Sequence, residues 1–122
     1  MAATARIKGI LEVQGLGQDV SFPFNADTSV APTVKQYGYR EQAVADTAEV
    51  LDLGGVTTVH MLVIHAAANA LLVDLDFSSV FDSDMEIPAG EVAVIPKPAG
   101  VVYIKNATAV EQTTYEYYAV GV

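Results

Sequence analysis

The sequence predicts an all-β chain: a single antiparallel β-sandwich, jelly-roll-like, with about eight or nine short strands. Three observations predict it. Apolar residues alternate with a period of two rather than about 3.6. Short apolar runs recur along the whole chain, and glycine- or proline-bearing turns separate them.

The first strand covers Arg6–Gln14, with Ile7, Leu11 and Val13 on one face and Arg6, Lys8, Glu12 and Gln14 on the other. Gly15–Asp19 is a turn, and Val20, Phe22 and Phe24 then alternate with Ser21 and Pro23. A proline cannot donate to a ladder, which puts this second strand at an edge or a bulge. Residues 1–32 therefore read as a hairpin and loop that could serve as an arm or docking element. Beyond them, strands are expected over Lys35–Ala45, Ala48–Leu53, Val56–Ala66, Ala70–Phe77, Glu91–Ile95, Val101–Asn106 and Val110–Val120. Val56–Ala66 is apolar on both faces, as a central, doubly covered strand is. A helix over Arg40–Leu53 is disfavoured, since its apolar residues form no steady i, i+3, i+4 stripe.

The 122 residues are enough for one domain, 1–122, with a core that needs no staples, and there is no cysteine. Fifteen acidic against six basic residues give a net charge of −9, and the six bases are scattered. Nucleic acid is thereby disfavoured, because a polyanion would be repelled. A 52% hydrophobic composition excludes a disordered polymer. The most apolar run, Val59–Val73, is interrupted by His60, His65 and Asn69, so it reads as core and not as a membrane span. The opening residues show no hydrophobic secretory segment.

Chemistry-bearing motifs are sparse. His60 and His65 stand five residues apart, so on a regular strand they face opposite ways, and His65 reads as a satisfied core histidine. The acid-rich segment Asp74–Glu86 offers Asp74, Asp76, Asp82 and Asp84 as a calcium candidate. It fails the EF-hand pattern, with Ser79 where glycine and Met85 where glutamate are needed. Two carboxylates alone define no glycosidase cleft. Gly15-Leu16-Gly17 lacks the rest of a dinucleotide fingerprint, and no nucleophile elbow or phosphate loop is present. The acceptor-like Asn106-Ala107-Thr108 reads as a chance turn. Tyrosines come in same-face pairs, Tyr37 with Tyr39 and Tyr115 with Tyr117, while Tyr118 lies opposite the second pair. The chain thus reads as non-enzymatic and free of cofactors, with hydropathy high enough to suggest that neighbours cover part of its surface.

Two stretches resemble small virion proteins of tailed bacteriophages. They are Leu51-Asp52-Leu53-Gly54-Gly55-Val56-Thr57-Thr58 with the strand Met61–His65 and Asn69, and Ile87-Pro88-Ala89-Gly90-Glu91-Val92-Ala93-Val94 with Val101–Asn106. The resemblance spans roughly Tyr39 to Val120 and leaves the N-terminal hairpin unmatched. It implies a β-sandwich that decorates or cements the outer capsid surface, or that forms part of a tail or head fibre. It further implies a homo-oligomer, a trimer first, bound to the major capsid protein or another virion protein. Such a protein would be made in the host cytoplasm and end on the virion. Under this reading the contact residues are Phe22, Phe24, Tyr37, Tyr39, Tyr115 and Tyr117. Two alternatives remain: a calcium- or carbohydrate-binding β-sandwich module that uses Asp74–Glu86 and the tyrosines, and a small β-barrel enzyme built around His65 and a carboxylate.

Overall fold

The computed structural model describes residues 3–27, 31–42 and 47–122. Ten strands run through them: β1 (Arg6–Val13), β2 (Val20–Asp27), β3 (Val34–Gln42), β4 (Glu49–Val50), β5 (Val59–Ala68), β6 (Leu71–Phe77), β7 (Met85–Ile87), β8 (Val92–Ile95), β9 (Val101–Asn106) and β10 (Thr113–Gly121). The described residues contain no helix. The expected strand count falls short by β7, three residues long and too brief to display an alternation. The last residues of the expected strand Lys35–Ala45, and the middle of the disfavoured helix, lie outside the described residues.

β1 and β2 form a two-stranded sheet of their own. The other eight strands make two four-stranded antiparallel sheets, ordered β3-β10-β5-β8 and β4-β9-β6-β7. The chain crosses between these sheets at every connection except β6 to β7, the interleaving that two Greek keys produce in a jelly roll. As its two-sided apolar pattern predicts, β5 is interior to its sheet, between β10 and β8.

The core lies between the sheets. Leu62, Ile64 and Ala66 of β5, Tyr115, Tyr117 and Ala119 of β10, and Ile95 of β8 face Leu71 and Val73 of β6, Val102 and Ile104 of β9, and Ile87 of β7. Each fully buried aliphatic side chain contributes about 1.5–3 kcal/mol through removal of apolar surface from water. Asn69, at φ 62°, turns the chain from one sheet to the other, and its Nδ2 donates to the Gln112 carbonyl at 2.6 Å.

Bulges correct the simple alternation. Val120 pairs with Met61 but Gly121 with Val59, so His60 is an extra residue and Val59 turns inward with Leu62. In β6, Asp74 pairs with Tyr103 and Phe77 with Val101, which leaves one residue more on β6 than on β9. The second bulge helps to launch the acidic loop that follows.

The N-terminal hairpin is amphipathic by register. Gly9 stands opposite Phe24, Leu11 opposite Phe22 and Val13 opposite Val20, all on one face with Ile7. Arg6, Lys8, Glu12, Ser21 and Asn25 take the other face, with Ile10 opposite Pro23 as the apolar exception. Each strand of a two-stranded ribbon is an edge, so Pro23 breaks no central ladder. Gly15 and Gly17, at φ 82° and 86°, close the turn in a conformation that side chains with a Cβ resist.

Candidate functional site

The outer face of the β3-β10-β5-β8 sheet carries a linked group of polar side chains within an apolar surround. Strand pairing sets it out in rows. Tyr37, Tyr118, Val63 and Val94 form one row across all four strands, and Tyr39, Glu116, His65 and Val92 form the next. Met61 and Val120 extend the apolar surface along β5 and β10. The face is open: Tyr39 is 61% exposed, Val92 57% and Tyr37 52%.

Three side chains at its centre are linked. His65 Nδ1 lies 2.9 Å from Glu116 Oε1, and the Tyr37 hydroxyl donates to Glu116 Oε2 at 2.7 Å. With Glu116 ionised, His65 must be the donor in the first contact. The hydrogen bond from His65, then that from Tyr37, holds the Glu116 carboxyl below its ordinary range. Glu116 in turn pushes the Tyr37 hydroxyl up. Tyr37 and Tyr118 pack as tilted rings 5.8 Å apart. A shallow hollow of about 260 Å³ lies over this group, bordered also by Val63 and Val92. Its lining residues carry tyrosine hydroxyls but no serine, threonine or cysteine, the usual nucleophiles.

His65 is therefore not the core histidine its sequence neighbours suggest. The face shared by Met61, Val63 and His65 is the outer one, and Leu62, Ile64 and Ala66 fill the core instead. His60 belongs to the bulge, with a buried Nδ1 that has no hydrogen-bond partner.

The six expected contact residues divide into two groups. Phe22, Phe24, Tyr37 and Tyr39 are exposed, the first pair on the hairpin and the second on β3. Tyr115 and Tyr117 are only 2% exposed and pack inside the core, so they present no surface to a partner. The paired period predicts that they share a face, but only the second sheet makes that face the inner one. Tyr118, on the opposite side of β10, is the outward tyrosine.

The acidic candidate contains a loop brace, and three of its four carboxylates cluster closely enough to hold a metal ion. Asp74 is 1% exposed; its Oδ1 accepts the Asp76 N–H at 3.1 Å and its Oδ2 the Asp82 N–H at 2.9 Å. Those backbone hydrogen bonds, Asp82's first, hold its carboxyl below the ordinary range. Asp84 Oδ2 accepts the Leu75 N–H at 2.8 Å. Asp76 is pushed up, chiefly by its contact with Asp74. Carboxylate oxygens of Asp74, Asp76 and Asp84 gather within 4.8 Å of one another, while Asp82 contributes its N–H to the brace. Asn106, in the acceptor-like triplet, is buried, and its Nδ2 donates to the Thr108 carbonyl.

No family model, curated protein or solved structure matches the chain.

Proposed function

We propose that this protein is a non-enzymatic virion structural protein, a capsid decoration or cement protein that adheres to the outer capsid surface and stabilises it. The observation that carries the reading is the placement of uncovered apolar surface on a rigid jelly roll. Phe22 and Phe24 on the hairpin, and Tyr37, Tyr39, Val92 and Val94 on the sheet, are all exposed. Soluble monomers rarely leave such surface uncovered, and aromatic residues are the usual anchors of interfaces. The net charge of −9 supports a position away from packaged nucleic acid. The resemblance of Leu51–Thr58 and Ile87–Val94 to small virion proteins points the same way.

The same surfaces would serve a tail or head fibre, and one experiment separates the two. Particles from a lysate of the strain that carries the gene are purified and labelled with gold-conjugated antibody to this protein. Label on heads is the expected result, and label on tails selects the fibre. Particles that sediment free of the protein overturn the virion reading altogether.

A further inference from the structure

We propose that the β1–β2 arm of one protomer lies, apolar face down, on the outer β3-β10-β5-β8 face of a second copy. In the resulting closed oligomer every protomer gives one arm and receives one. This inference does not depend on the virion reading, since a self-assembling protein of any role could be built so.

The donor is the arm. Its register gathers Ile7, Leu11, Val13, Val20, Phe22 and Phe24 on one face. Its own chain leaves that face open, with Phe22 61% and Leu11 57% exposed. β1 and β2 pair only with each other among the described residues. A two-stranded hairpin alone is marginal in water and needs a surface to pack against.

The acceptor is the sheet face. Its two central rows are apolar or tyrosine except for His65 and Glu116; these bond to one another, and Glu116 also accepts from Tyr37, while Lys35 and Glu41 stand at the two ends of the face on the edge strand β3. A cover of apolar side chains would therefore leave no charge on this group without a partner, which is the usual obstacle to burying ionised residues. Face-to-face sheet packing at about 10 Å is the ordinary geometry for two such surfaces.

Size and area select a second copy as the occupant. The arm strands have eight residues each, about 26 Å long, and the acceptor strands β3 and β10 have nine. Covering a two-strand face of that length removes on the order of 450 Å² from each side. One such contact stays near the size of a crystal contact. Two reciprocal contacts bury about 1,800 Å², within the roughly 1,200–2,000 Å² of stable interfaces. Every chain carries one donor and one acceptor, so exchange closes the assembly and covers the arm and the β3-β10 half of the face, while Val92 and Val94 on β8 stay open to other partners.

The test uses the full chain and reads native mass, with melting curves as the control for folding. Phe22→Lys breaks the donor and Tyr39→Lys, on the acceptor strand β3, the acceptor; both side chains are exposed, so the sandwich should stay folded in each variant. The wild-type chain is expected as an oligomer, and each variant as a monomer of about 12.9 kDa that still melts in one cooperative transition, at a lower temperature than the assembled wild type. Leu11→Ser and Tyr39→Ser repeat the donor and acceptor tests with gentler changes. A monomeric wild type at tens of micromolar overturns the proposal. So does an oligomer that survives either substitution.

Discussion

Tyr117 of β10 lies across Gly38 of β3, its direct partner in the antiparallel register. A Cβ placed on Gly38 would sit 2.4 Å from Tyr117 Cζ, so the absent side chain is what lets the ring lie flat over the neighbouring strand. The ring's hydroxyl then reaches the Asp52 carbonyl and donates to it at 2.5 Å, tying β10 to the segment that leads from β4 to β5. Asp52 is held in addition by the Arg40 guanidinium at 2.7 Å.

Gly38→Ala is accordingly expected to destabilise the sandwich by about 1–3 kcal/mol, the usual cost of overfilling a packed core. Tyr117→Phe keeps the packing and loses one hydrogen bond, so about 1 kcal/mol is expected. Urea titrations of both variants check the order. A Gly38→Ala protein as stable as wild type would mean that the ring can leave its place freely.

Leu62 lies wholly within the core on the central strand β5. Leu62→Ala is expected to cost about 2–5 kcal/mol, transfer free energy and cavity together. Val92→Ala, on the exposed outer face, is expected to stay within about 0.5 kcal/mol in a monomeric background such as Phe22→Lys. The pair, measured by denaturant midpoint, verifies which face of the sheet is inward.

Glu116 sets an acid dependence. Its folded carboxyl is held below the ordinary 4.5 by His65 and Tyr37, so its contribution to stability is fully present above that value. The contribution disappears as pH falls through the lowered folded value. Glu116→Gln should therefore flatten the acid side of the stability curve, and melting temperatures taken from neutral pH down to strong acid read the difference. Parallel curves for the variant and wild type would contradict the contact.

Asp74 holds the bulged end of β6 through Oδ1, at Asp76, and the 78–84 loop through Oδ2, at Asp82. Asp74→Asn replaces one acceptor with an amide donor, so one of the backbone N–H groups of Asp76 and Asp82 loses its partner. A lower melting temperature and earlier proteolytic cleavage within the loop are expected. Because both Asp74 oxygens are engaged by the backbone, millimolar calcium is expected to leave the wild-type melting temperature where a chelator leaves it. A marked rise with calcium would return the segment to cation binding.

Much of this architecture is legible in local chemistry. Alternation in Arg6–Gln14 and Val20–Phe24 describes the arm's two faces, and the doubly apolar Val56–Ala66 announces an interior strand. The candidate site is far less legible. His65 and Glu116 lie fifty-one positions apart and meet only because β5 and β10 are neighbours in register. A period of two says that Tyr115 and Tyr117 share a face and that Met61, Val63 and His65 share another. It does not say which of those faces meets the second sheet. Nor does it show the extra residue at His60, since a bulge is a mismatch between two strands and is invisible in one.

By itself, then, the sequence determines the class of the fold, the strand-and-turn rhythm, the amphipathic arm and the acidic balance. All of these follow from neighbours in the chain, where side-chain size and backbone preference act directly. Only the tertiary structure decides that Tyr115 and Tyr117 are core while Tyr37, Tyr39 and Tyr118 face out, and that Asp74 braces a loop. Each of these depends on which strand lies beside or across from which. Long-range pairing and the burial of one particular face settle that choice, and no local preference carries it.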